Sequence, residues 1–594
     1  MGQGVVRLGT RRTAPLAAGS LVGACLVIAA ALLPTRAPSV DFSDCVTLDV
    51  SVSTEKGDLV EEMAERYNDE QRVIGDRCAH VETDKLTSGT ASEELATGWD
   101  EQATGAPKPD VWLPSSSLWA QLLEHRTGED LVSGEEKSVT TSPLVIAMPE
   151  KMARALGWPE VDLGWSDLRD LANNPDWGER GHPEWGRFAM GKDNPYHSTS
   201  GLAATIATYY AATRDRGGFS EHAVSRDAEV QAFVRQVESS VAHYATDSVV
   251  FLGNAYTEDQ KGSDKPYISA MITQEQMTYL YNAGAPTGDP ADLNTQPPPN
   301  DPLVAIHPAD GTVMIDHPYL VLAGTSGHTR EVAADFRDYL LAEEQQAAFV
   351  EHGFRDSEGR TSEKVATSVG TTAQRSVDSI DLPSAKLVKT MLDRWRTYRL
   401  RADVLLVLDE SASMKETSDP RATESVSKLE LLESAVQRGL DLLDNDDRVA
   451  LWTFSTGPDY TRRMPMSPVG EVRDELSHVV RDDLRGTGNT ALYNTTHAAH
   501  EMMRENLDPG RVNAIVLLTD GHDTVRGGVS RDELLDSIDA EHLDTSVRIF
   551  TIAYGRDADV EALEAIATRS KAAAYEARDP SDIDQVFVSA LSNF

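Results

Sequence analysis

Two stretches of unbroken apolar sequence, each closed by an aspartate, constrain the fold of this chain more than any other feature. The first is Val404–Leu408, ended by Asp409. The second is Ala514–Leu518, followed by Thr519 and Asp520. A strand that is apolar at every position has both faces buried, as in a parallel sheet covered by helices on both sides. Such sheets collect ligand sites at the carboxyl ends of their strands. Asp409, Ser411 and Ser413 follow one another there at alternate positions. A carboxylate and two hydroxyls are hard oxygen donors, suited to magnesium or calcium rather than zinc.

The segment Gly488-Asn489-Thr490-Ala491-Leu492-Tyr493 opens a helical pattern and adds a third hydroxyl, Thr490. Asp409, Ser411, Ser413, Thr490 and Asp520 together resemble the metal-ion-dependent adhesion site of the von Willebrand factor type A family. That pattern is D-x-S-x-S, a distant Thr and a distant Asp. Thr487 is a rival for the threonine role, but Thr490 fits the G-x-T-x-L spacing. The resemblance implies a Mg2+ (or Ca2+ or Mn2+) cofactor at these five residues. It also implies a coordination position that a carboxylate from a protein or surface partner fills. Strands at 448–454, 513–519 and 547–553, alternating with helical patterns, predict a doubly wound Rossmann-like domain over 400–594.

A chain of 594 residues exceeds one domain. Its 55 basic residues against 96 acidic ones give a net charge of -41. That excess argues against nucleic acid and anionic membrane surfaces as partners. The first 13 residues carry Arg7, Arg11 and Arg12 and no acid, and residues 14–33 are uncharged and mostly apolar. About twenty such residues suffice to cross a bilayer, and the flanking arginines place the N-terminus inside. Residues 1–38 therefore read as a single-pass anchor with the bulk of the chain outside the cell. A cleaved secretory signal ending near Thr35-Arg36-Ala37 is the second reading, and lipidation at Cys25 the third. Cys45 and Cys78 lie in the exported part, where oxidation favours a bridge. Such a bridge closes about thirty residues and stabilises by roughly 3–4 kcal/mol in the chain-entropy model.

Residues 43–354 alternate strands and helices, which predicts an α/β region with a largely parallel sheet. The phrases "SPLVIAMP", "LGWPEVDLGWSDL", "NPYHSTSGL" and "FRDYLLAEEQQAAFVEHGF" resemble extracellular solute-binding proteins of the type 2 periplasmic class. The resemblance implies two lobes joined by crossing strands, near Ser142–Met148 and Val313–Leu322. Hydroxyl residues stand at several helix starts: Ser53 and Thr54, Ser88, Ser116, and Ser198, Thr199 and Ser200. Helix N-termini carry unpaired amides, so several converging in one cleft suit an oxyanion, with sugars or peptides as alternatives. Each alone is also an ordinary N-cap. Glu275 and Tyr279 read as helix surface, with the cleft as the other possibility.

Residues 355–382, rich in Ser and Thr, read as a linker. Residues 383–399 form an amphipathic helix with Leu387, Met391, Leu392 and Trp395 on one side. No G-x-S-x-G elbow, phosphate-binding G-x-x-x-x-G-K-[ST] loop or H-E-x-x-H pair occurs. The chain therefore reads as a non-enzymatic, metal-dependent binding protein outside the cytoplasm. The alternative is a transporter-type solute receptor with an accessory type A domain.

Overall fold

The computed structural model describes residues 45–594, apart from 135, 263–265, 376, 418–425, 541–545, 581–582 and 592. The apolar segment 14–33 and Cys25 lie outside these residues. Among the described residues no helix is long and apolar enough to cross a membrane. Cys45 and Cys78 are in the disulfide-bonded state.

Three six-stranded sheets organise the chain. The first carries Val46–Val52 at its centre, parallel to Arg77–Lys85 and to Val111–Leu113. Pro318–Val321 returns antiparallel beside Val111–Leu113. The second is built on Ser142–Pro149, which pairs antiparallel with Leu303–Ile306 and Ala270–Gln274. The chain thus leaves the first lobe at Ser142 and comes back at Pro318, so the lobes are joined by crossing strands. The third sheet centres on Arg401–Asp409, parallel to Arg448–Phe454 and Arg511–Thr519. Arg548–Tyr554 and Ala574–Ala577 extend it in parallel, and Tyr460–Pro468 adds one antiparallel edge. Val404–Leu408 and Ala514–Leu518 are buried throughout, as double-faced burial requires.

The stretch expected to be a linker is part of the packed structure. Val365 and Val369 join the apolar core under the second lobe. Ile380 joins the core beneath its opposite face. Arg355 is buried and exchanges main-chain hydrogen bonds with Thr141 at the lobe crossing. Ser and Thr content alone concealed the few apolar side chains that anchor the segment. The helix Ala385–Tyr398 leads directly into the third sheet and also packs back on both lobes. It packs on Leu118–Thr127 of the first lobe and on Thr199–Thr213 and Glu221–Arg226 of the second. One apolar cluster therefore unites Trp119 and Leu123 with Leu202, Val388, Met391 and Trp395. Leu387 is only partly buried against it.

Trp395 is 2% exposed, donates its ring N–H to Glu238 at 3.1 Å and meets Tyr244 edge-on at 5.1 Å. Truncating a buried Trp removes its apolar burial and leaves a cavity, which together cost about 3–5 kcal/mol. Trp395→Ala should lose that much in urea unfolding of the full chain. A loss under about 1 kcal/mol would mean the helix is a tether.

Candidate metal centre and solute cleft

At the end of the strand Arg401–Asp409 the backbone turns into a short 3-10 helix, Ala412–Lys415. Asp409 Oδ1 accepts the backbone N–H of Ser411 at 2.7 Å, and its Oδ2 accepts the hydroxyl of Thr519 at 2.5 Å. The hydroxyls of Ser411 and Ser413 are 3.0 Å apart, and Ser413 donates to Asp520 Oδ1 at 2.7 Å. The loop that brings Thr490 is pinned here by main-chain bonds from Ala412 to Gly488 and from Thr487 to Glu410. Thr490 is buried, whereas Thr487 is exposed. A side chain at Gly521 would come within 2.9 Å of the Thr490 hydroxyl. Glycine after Asp520 therefore lets the two loops meet. Asp409, Ser411, Ser413 and Asp520 form one connected group with Thr490 beside Gly521, and among the described residues no group of three or more His, Cys, Asp or Glu that could hold a metal occurs.

Two partners were not legible in the sequence. Lys428, at the start of the helix Lys428–Leu440, donates to Asp520 Oδ2 at 2.8 Å. Thr519 bonds Asp409 as described. Both are ordinary residue types whose roles arise from distant chain segments coming together. Burial pushes the Asp409 carboxyl up to about 6, against the hydrogen bonds from Thr519 and Ser411. The set fits a divalent cation: three hydroxyl oxygens, one carboxylate raised by burial, and a second already balanced by an ammonium.

In the two-lobed region, five of the seven expected hydroxyl residues meet. Thr54, Ser88, Ser198, Thr199 and Ser200 line a cavity of about 20 Å³, room for about one water molecule. Ser53 and Ser116 do not line it. Ser53 donates to Glu55 Oε1 at 2.9 Å and accepts from the buried Lys56 ammonium. Ser116 accepts the backbone N–H of Leu118 at 3.3 Å. The lobes bond directly across the cleft: Gly89 N–H to His197 O at 2.8 Å, and the Trp119 ring N–H to the Thr199 hydroxyl at 2.7 Å. A Cβ at Gly89 would lie 2.0 Å from Tyr196 O, so only glycine permits this approach.

The helix starts expected to receive an oxyanion face carboxylates of the chain itself. Glu55 and Asp247 both line the cavity. Against the burial that would raise it, Lys56, His317 and the Ser115 hydroxyl hold the Glu55 carboxyl down to about 2. Glu275 and Tyr279 are buried rather than on a helix surface. Glu275 takes two bonds from Arg355, at 2.9 and 3.1 Å, and one contact with His307 at 2.6 Å. It braces the lobe crossing.

Behind the cleft, Asp193 Oδ2 accepts the hydroxyls of Ser198 at 2.7 Å and Ser248 at 2.8 Å. Burial pushes its carboxyl from 3.8 up to about 8, with the Asp247 and Glu55 charges adding to the rise. A folded-state pKa above the unfolded one stabilises at low pH, and that contribution is lost as pH rises through the folded value. Stability should therefore fall between about pH 4 and pH 8 through this group. Asp193→Asn should flatten the fall in urea midpoints over that window. An unchanged slope would show that Asp193 is ionised in the fold.

Comparison with known proteins agrees with both halves. Residues 48–355 match the family of bacterial extracellular solute-binding proteins, and residues 403–588 match the von Willebrand factor type A domain. Uncharacterised proteins from two strains of Mycobacterium tuberculosis are 24% identical over 526 residues, covering 86% of this chain and 71% of theirs. Among solved structures, a periplasmic binding protein of Actinobacillus pleuropneumoniae with fructose-6-phosphate bound covers 59% of this chain and 98% of its own. It is 13% identical, with a TM-score of 0.40. The mussel byssus proximal thread matrix protein 1, with a zinc-occupied adhesion motif, covers 32% of this chain and 48% of its own. It is 18% identical, with a TM-score of 0.27. The chain belongs to the bacterial extracellular solute-binding protein family and carries a von Willebrand factor type A domain behind its solute-binding region.

Proposed function

We propose that this is a non-enzymatic binding protein acting outside the cytoplasm, in which the type A domain holds a divalent cation that captures a carboxylate of a protein or surface ligand. The observation that carries this reading is the chain of contacts from Asp409 through Ser411 and Ser413 to Asp520. Magnesium suits such a donor set, because it favours oxygen ligands in six-fold geometry and keeps waters readily. Ser411, Ser413 and Thr490 would supply neutral oxygens, with Asp409 and Asp520 adjacent. Lys428 offsets the charge of Asp520, so the protein's own contribution does not fully neutralise a dication, and an external carboxylate gains a strong charge interaction. Membership of an extracellular family supports the location. The two-lobed fold also supports a transport receptor as a second reading. However, Arg438, Tyr575 and Ser589 of the type A domain line a chamber that shares Thr54, Thr87, His197 and Asp247 with the cleft, which favours a role for the domain in binding itself.

Titration calorimetry on the full chain tests the metal. Removing a charged ligand contact worth roughly 3 kcal/mol should weaken Mg2+ binding about 100-fold in Asp409→Ala. The melting temperature without metal should fall by no more than a few degrees, because the Ser411 N–H and the Thr519 hydroxyl lose their acceptor. Equal Mg2+ affinity in the two proteins would place the site elsewhere. Lys428→Met removes the competing ammonium and should tighten Mg2+ binding about tenfold, an expectation resting on reduced like-charge repulsion near the site. Weaker binding in that variant would instead assign Lys428 to holding Asp520 in place.

A further inference from the structure

The hydroxyl-lined cleft opens outward into a chamber of about 420 Å³. The two share Thr54, Thr87, His197 and Asp247. The chamber's size falls within the range of about 300–1,000 Å³ of small-molecule sites, whereas the cleft's does not. Its outer wall belongs to the type A domain: Arg438, Tyr575, Asp584, Val588 and Ser589. That wall is fixed to the second lobe by hydrogen bonds from Tyr244 N–H to Asn593 O and from the Thr246 hydroxyl to Ser589 O, both 3.2 Å. Tyr267 adds a bond to Lys571 O at 3.1 Å.

We infer that this chamber is the solute site of the protein, completed by the type A domain, and that its ligand is a polyhydroxylated, sugar-like molecule rather than a free oxyanion. The inference rests on solute binding by the two-lobed region and is independent of the metal reading. Hydroxyl side chains from all three walls, including Thr54, Thr90, Thr246 and Tyr575, line it. A hydroxyl can donate and accept, and those of Thr246, which donates to Ser589 O, and Tyr575, which accepts from Asn593, would meet a polyol as acceptor and donor respectively. Four carboxylates, Glu94, Asp100, Asp247 and Asp584, stand against two cations, Lys85 and Arg438. Both cations are already committed, Lys85 to Asp58 and Arg438 to Asp584. His197 adds no charge near neutral pH, because burial pushes it down to about 4. An anion would meet excess negative charge, whereas carboxylates accept hydrogen bonds from a polyol directly.

Thr97 lines the chamber from an exposed position on the helix Ser88–Thr97. Its hydroxyl bonds carbonyls of its own helix, at 3.1 and 3.4 Å. Thr97→Trp therefore fills the space without entering the core. Thermal unfolding of the full chain would be followed with millimolar glucose, trehalose, glucosamine, inorganic phosphate and sulfate. At least one sugar should raise the melting temperature by about 2 °C or more, since binding to the native state alone stabilises it. Thr97→Trp should abolish that rise while melting normally without sugar, and Thr97→Ser should keep it. A rise with phosphate or sulfate only, a sugar effect that survives Thr97→Trp, or no rise with any sugar would each overturn the inference. None of these outcomes alters the Mg2+ calorimetry, so the two readings fail separately.

Discussion

The arrangement of this protein depends on a knot of ion pairs where the solute-binding region meets the type A domain. Arg399, at the end of the helix Ala385–Tyr398, is buried and pairs with the fully buried Asp447 and with Asp444 at 3.2 Å. Arg396 and Arg401 also reach Asp444, at 3.0 and 2.7 Å. Asp447 in turn accepts the backbone N–H groups of Ala402 and Asp444, each at 2.8 Å. Removing one member of such a buried group leaves an uncompensated charge, which costs far more than the group's net contribution. The knot thus specifies one relation between helix and sheet. Val46–Phe594 behaves as one compact unit. Arg548 bonding Ala242 O at 2.6 Å extends the same junction.

From that fixed relation follows the position of the last helix, Ile583–Leu591. It packs against Lys428–Leu440, where the absence of a side chain at Gly439 admits Phe587 and Leu591. The same Lys428–Leu440 helix begins at the lysine that bonds Asp520 and carries Arg438 at the chamber wall. The candidate metal site and the chamber wall are therefore reached by opposite ends of one helix. Ala385–Tyr398 meanwhile presses on both lobes, and the cleft between them is nearly shut.

Carboxylates in this acidic chain are treated in opposite ways. Glu55 is kept charged by Lys56, His317 and Ser115. Asp409 and Asp193 are raised by burial. Asp520 is balanced by Lys428. The bulk negative charge sets solubility and repels anions from the surface. Only a handful of carboxylates have surroundings that differ from water.

The sequence by itself determined the two α/β regions and the local spacing of the candidate metal residues Asp409, Ser411 and Ser413. Short unbroken apolar runs closed by polar residues suit double-faced strands, and Asp409, Ser411 and Ser413 follow such a run within four residues, so local spacing carries the signal. Some helix starts were legible for the same reason, as at Ser198, whose side chain caps the helix that follows. Tertiary structure alone decided which hydroxyls share a cavity, that Ser53 and Ser116 are spent on local bonds, and that Glu275 is a buried brace. It alone placed Lys428 on Asp520, 92 residues away, and the type A domain across the cleft mouth. These are contacts between segments far apart in the chain. They depend on how helices and sheets pack, and periodicity within a segment does not encode its distant neighbours.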